Sequence, residues 1–204
     1  MAVRVKICGV TAVEQAEACA DMGVDALGVN FVATSPRRVD ESVAQAIVEA
    51  VGKRTLVVAI VAGMTVESMR ALIERTGVGC LQLHGGEPAG ALEAMLPHAY
   101  RAVAVASAAD VDLAMATAGQ YVMVDAKVAG RLGGTGHAFD WELVVGLAKR
   151  RKIVLAGGLT PENVHLAVET VRPWCVDVAS GVETAPGVKD LGRVRAFLEA
   201  ARRT

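Results

Sequence analysis

The chain has 204 residues, 53% of them apolar and 21% charged, with a formal net charge of −1, a composition that suits one sizeable globular core. So small a net charge gives no general attraction to nucleic acid or an anionic membrane, and no apolar run reaches the roughly 20 residues of a spanning helix. Cys8, Cys19, Cys80 and Cys175 form neither a CxxC pair nor a zinc-like Cys/His spacing, so no metal site is expected and a reduced cytoplasmic protein is the economical reading.

The chain enters at once on a strand-like pattern, Val3-Arg4-Val5-Lys6-Ile7, and no signal peptide is expected. Short β-branched runs then alternate with segments of helical period. Strands are predicted at 3–8, 26–31, 55–61, 79–84, 100–105, 121–125, 153–156 and 175–179. Helices are predicted between and after them, at 13–22, 40–52, 65–77, 88–96, 108–118, 140–150, 161–171 and 189–202. Gly23 and Gly77 stand where helices should stop, and Thr160-Pro161-Glu162 reads as an N-cap, a first-position proline and an acidic first turn. Strands begin about 21 to 32 residues apart, the distance a parallel crossover needs. Eight such units with no linker predict a single α/β domain over 1–204, a (βα)8 TIM barrel.

Strand alternation leads from fold to chemistry, because one face of each barrel strand meets the helices and the other the lumen. If Val5, Ile7, Leu81, Leu83, Val122, Val124, Val176 and Val178 pack on the helices, the lumen receives Lys6, Cys8, Gln82, His84, Asp125 and Asp177. The same logic points Asn30 inward. Most of these residues fall toward the C-terminal strand ends, where barrel enzymes place their sites. Gly157-Gly158 and Ser180-Gly181 follow the last two strands, the usual place of a barrel phosphate site, and glycines let backbone N–H groups approach an anion. Gly133-Gly134-Thr135-Gly136, with Gly134 as a phosphate contact, extends that cradle or forms a lid. A phosphorylated small molecule is the expected ligand. Taken singly, Cys8 reads equally as a small buried hydrophobe, Asp125 as a helix cap, His84 and Asp177 as structural groups, and Arg37 beside Arg38 as a solvated pair.

The order and spacing of several segments resemble the phosphoribosylanthranilate isomerase family along nearly the whole chain. They are Lys6-Ile7-Cys8-Gly9-Val10-Thr11, Ser35-Pro36-Arg37, Leu81-Gln82-Leu83-His84-Gly85, Gly133 to Gly136 and Leu155-Ala156-Gly157-Gly158-Leu159. Pro161-Glu162-Asn163-Val164, Ser180-Gly181-Val182-Glu183 and Pro186-Gly187-Val188-Lys189-Asp190 continue the match. The resemblance implies a cofactor-free Amadori rearrangement of N-(5-phosphoribosyl)anthranilate, with Asp125 as catalytic acid and Cys8 as base. It implies that Arg37 meets the anthranilate carboxylate and that His84 and Asp177 belong to the wall of the site. Lys6, two residues before Cys8, is the expected cation favouring a thiolate. Asn30, Val32-Ala33, Ala62 and Ala179 depart from the family pattern around the ring pocket.

Two other readings share the fold. Another sugar-phosphate barrel enzyme should show paired catalytic aspartates in similar half-barrels, or several metal-ligand histidines at strand ends, where only His84 stands. A non-catalytic phosphate binder need not keep Cys8 and Asp125. Monomer and homodimer are both left open.

Overall fold

The computed structural model describes residues 2–125 and 141–203. Eight parallel strands close into a barrel in chain order: β1 (Arg4–Cys8), β2 (Ala26–Asn30), β3 (Leu56–Val61), β4 (Cys80–Leu83), β5 (Ala99–Ala104), β6 (Tyr121–Asp125), β7 (Lys152–Ala156) and β8 (Cys175–Val178). Between them run α1 (Val13–Asp21), α2 (Glu41–Val51), α3 (Val66–Thr76), α4 (Ala91–Met95), α5 (Ala108–Ala116), α6 (Glu142–Ala148) and α7 (Val164–Val171). After β8 come a 3-10 turn over Ser180–Val182, an antiparallel hairpin of β9 (Glu183–Ala185) and β10 (Val188–Lys189), and α8 (Leu191–Arg202). The predicted (βα)8 barrel is therefore the observed fold, and no helix among the described residues is long and apolar enough to cross a membrane.

The two faces of the strands make two cores. Val5, Ile7, Leu27, Val29, Leu81, Leu83, Val122, Val124, Ile153, Leu155 and Val176 meet the helices at 0% exposure. Fully burying one such side chain stabilises the fold by about 1.5–3 kcal/mol. A smaller cluster fills the lumen with Ala26, Val58, Tyr100, Met123, Val154, Ala156 and Cys175. Toward the N-terminal strand ends Trp174 stacks near Tyr121, with ring centroids 4.5 Å apart, and the Arg4 guanidinium lies 4.5 Å over the Trp174 ring. That plug is a packed floor, so ligand access is left to the C-terminal side.

Three local expectations are corrected. The fourth helix starts at Ala91 because Gly90 sits in the left-handed region at φ 77°, which a continuing helix cannot adopt. The seventh begins at Val164; the Asn163 side chain accepts from the Thr160 amide at 2.8 Å, so Pro161-Glu162-Asn163 is a turn and the Thr160 side chain is not the cap. The last helix starts two residues later than expected because Lys189 pairs in the hairpin. Asp190 then caps it, accepting from the amides of Gly192 and Arg193.

Candidate active site

Parallel register sets which inner side chains meet. Lys6 on β1 lies opposite Asp177 on β8, and their side chains form an ion pair of 2.9 Å at 2% and 5% exposure. Gln82 on β4 lies opposite Tyr100 on β5, whose hydroxyl donates to Gln82 Oε1 at 2.8 Å. Two residues nearer the C-terminal end, on the same face, Cys8 lies opposite Gly28. A Cβ at Gly28 would stand 2.8 Å from Cys8 Sγ. The thiol therefore occupies room that only a glycine leaves.

Above this floor opens a cavity of about 150 Å³ lined by Cys8, Asn30, Ile60, Gln82, His84, Met123, Asp125, Asp177 and the segments 156–159 and 178–180. Of the ten site residues read from the sequence, Cys8, His84, Asp125, Gly157, Gly158, Asp177 and Ser180 are thus brought together around one space. Gly134 lies outside the described residues. A wider depression of about 500 Å³ near Asp21 and Arg202 contains none of these groups.

The glycines serve different purposes. Gly157 and Gly158 have φ of 97° and 66°, so the backbone after β7 turns in a way that L side chains resist. Gly181 does not line the cavity; a Cβ there would stand 2.1 Å from the Leu159 carbonyl oxygen. The absence of a side chain lets the turn after β8 pack on the turn after β7.

Arg37 is not a solvated surface group, nor does its guanidinium stand unengaged awaiting a ligand. Its stem packs over Gly9, and its Nε and Nη2 donate to the Glu183 carboxylate at 2.6–3.1 Å. Glu183 also accepts from Lys189 Nζ at 2.6 Å and from the Gly187 amide at 3.2 Å. Burial opposes ionisation of Glu183, but the bonds from Arg37 and Lys189 prevail and hold its pKa at about 2. Neither Glu183 nor Lys189 was singled out by sequence reasoning; their one signal is that they are charges within a matched motif. Gly28 carried a signal too, as a glycine inside a strand.

The acidity of Cys8 also differs from expectation. Burial raises its pKa most strongly and Asp177 adds to the rise, while Lys6 and Lys189 pull it down. Lys6 acts in the expected direction but is outweighed, partly because Asp177 takes up its charge. Burial likewise pushes Cys19 and Cys80 up to about 11, and Cys175 higher still. His84 is exposed at the cavity mouth but flanked by protein, and that partial desolvation lowers its pKa against the pull of Asp125.

Among the departures, Asn30 lines the cavity and its Oδ1 accepts from the Val32 amide at 2.8 Å, which fixes the turn after β2. Ala179 also lines it, whereas Val32, Ala33 and Ala62 do not. No group of three or more metal-ligating side chains occurs among the described residues.

Residues 5–200 match the family described as N-(5′-phosphoribosyl)anthranilate isomerase. A relative of that name from Pseudomonas aeruginosa (strain LESB58) is 44% identical over 204 residues, covering 98% of this chain and 96% of the relative. The crystal structure of the phosphoribosyl anthranilate isomerase from Thermotoga maritima aligns with a TM-score of 0.90 at 33% identity, covering 99% of this chain and 100% of the other. A further structure of a phosphoribosyl anthranilate isomerase, in complex with reduced 1-(o-carboxyphenylamino)-1-deoxyribulose 5-phosphate, aligns with a TM-score of 0.87 at 31% identity, covering 99% and 100%.

Proposed function

Because the chain belongs to the N-(5′-phosphoribosyl)anthranilate isomerase family, we propose that this isomerase of tryptophan biosynthesis works with Cys8 as its base and Asp125 as its acid. The observation that carries the residue assignment is the meeting of these two strand-end groups in one cavity beside the turn at Gly157-Gly158. Asp125 protonates the furanose ring oxygen, and the ring opens to a Schiff base. Cys8 removes the C2′ proton, leaving an enolamine that tautomerises to the ketone, 1-(2-carboxyphenylamino)-1-deoxyribulose 5-phosphate. C2′ and its hydroxyl each lose a proton, the ring oxygen and C1′ each gain one, and C2′ is oxidised as C1′ is reduced, so no external electron acceptor is needed. Positioned acid–base groups of this kind contribute about 10²–10⁴-fold each.

The phosphate is assigned to the turns at Gly157, Gly158, Ser180 and Gly181, where backbone N–H groups approach an anion without side-chain obstruction. Arg37 is assigned to the anthranilate carboxylate through the guanidinium edge not used by Glu183, so its geometry is set before the ligand arrives. His84 and Asp177 are assigned to the substrate-facing wall. The four free cysteines support a reducing, cytoplasmic setting.

A crystal structure with the reduced product analogue tests these placements together. The expected result has phosphate oxygens on the amides near Gly158 and Ser180, the carboxylate on Arg37, and C2′ within reach of Cys8 Sγ. A ligand bound with its phosphate at Arg37 would overturn the assignment.

A further inference from the structure

The hairpin after β8 carries two charged groups into the protein behind Cys8. The Lys189 side chain is 0% exposed and its Nζ lies 2.6 Å from Glu183 Oε1. The same nitrogen donates to the carbonyl oxygen of Cys8 at 2.5 Å and to that of Ala179 at 3.4 Å. Three oxygen acceptors around one nitrogen call for three N–H groups, which the ammonium form supplies. Glu183, with its side chain 4% exposed, divides its carboxylate between this ammonium and the Arg37 fork. One negative charge therefore serves two positive ones, and the trio carries a surplus of one positive charge. The ion pair beneath the thiol, Lys6 with Asp177, is neutral as a unit.

We propose that Lys189 is a positioning residue that pins the Cys8 end of β1, and that in the ligand-free protein the surplus charge of the Arg37–Glu183–Lys189 trio is the counter-charge for a Cys8 thiolate. Lys189 and Glu183 then set the acidity of the thiol in opposite directions. The catalytic meaning of this device rests on the reading of Cys8 as the base. Among the described residues, the charged and titratable groups that enter the balance are Lys6 on the same strand, Asp177 on β8, Lys189 with its partners Glu183 and Arg37, and His84 and Asp125, which line the same cavity. Burial raises the thiol pKa, and Lys6 and Lys189 oppose that rise.

The trio also joins two tasks of the site. The Lys189 contact fixes the backbone that bears the base, and its partner Glu183 fixes the arginine assigned to the substrate carboxylate. A shift in the hairpin moves both at once, so the hairpin links substrate binding to the alignment of the base.

The test is the pH dependence of Cys8 alkylation by iodoacetamide in the ligand-free protein, followed on the Cys8-containing peptide by mass spectrometry. Lys189→Met is expected to raise the apparent thiol pKa and slow alkylation, and Glu183→Gln to lower it and speed alkylation. At a pH well below the pKa the thiolate fraction is small, and raising the pKa by about one reduces that fraction about tenfold. Changes in the same direction for both variants, or none in either, would overturn the proposal, because a purely structural role has no reason to reverse sign. Should Lys189→Met fail to fold, Glu183→Gln decides alone: it keeps the shape of the side chain, and an unchanged or higher thiol pKa refutes the proposal. No substrate is present, so the outcome is separate from that of the turnover assay.

Discussion

Gly28 offers a sharp test of how the thiol is held. It faces Cys8 across the β1–β2 register, and an added Cβ would lie 2.8 Å from Cys8 Sγ, 3.0 Å from Ile60 Cδ1 and 3.1 Å from Cys8 Cα. The Ile60 methyl can turn aside, but Cys8 Cα cannot yield without moving β1. Restoring ordinary contact displaces the sulfur by about 0.6 Å, and a misplacement of about 1 Å costs about 10²-fold in rate. Gly28→Ala is therefore expected to lower kcat about tenfold. KM should change little, because Arg37 and the turns at Gly158 and Ser180 are untouched. Overpacking of this kind costs about 1–3 kcal/mol, to be read from urea unfolding. Turnover is followed by the loss of phosphoribosylanthranilate fluorescence. A variant with unchanged kcat, whatever its stability, would refute the claim that Gly28 sets the position of the thiol.

Three further outcomes are expected. Asp177→Asn leaves the Lys6 ammonium buried without its counter-charge and should destabilise the protein by about 3–5 kcal/mol, more than the Lys6→Met/Asp177→Leu pair does; equal urea midpoints for the two would contradict this. Gly181→Ala meets the Leu159 carbonyl oxygen at 2.1 Å, so it should cost at least about 1–3 kcal/mol and raise KM by displacing the Ser180 turn; wild-type stability and KM would speak against that packing. The Glu183 carboxyl is lowered from 4.5 to about 2 against the opposing effect of burial, by its bonds to Arg37 and Lys189. A depressed folded-state pKa adds stability that is complete above about pH 4.5 and is lost as the pH falls toward 2. Glu183→Gln should flatten the stability profile in that window, and an unaltered acid limb would contradict the assignment.

The barrel and its inner wall were legible because both follow from local rules. A parallel βα repeat shows in β-branched runs at crossover spacing, and the period of two along each strand sorts Lys6, Cys8, Gln82 and Asp177 to the lumen. What stayed hidden depends on distant pairing or on a balance of opposing effects. Lys189 meets the Cys8 carbonyl across 181 positions of sequence, and nothing local marks a lysine that will close such a loop. Arg37 reads alike whether its partner is water, ligand or Glu183. The acidity of Cys8 turns on burial against two lysines, and the sequence names the lysines but not the depth of burial. At Gly181 a glycine suits an anion contact and close backbone packing alike, and only the structure shows the Leu159 carbonyl oxygen that a Cβ would meet.

The central claim is the division of labour between Cys8 and Asp125. It is tested most directly by kcat and by the affinity for the reduced product analogue in Cys8→Ser and Asp125→Asn. Each variant is expected to lose about 10²–10⁴-fold in kcat while binding the analogue about as tightly as the unaltered protein. Near-normal turnover in either variant would contradict the role given to that residue.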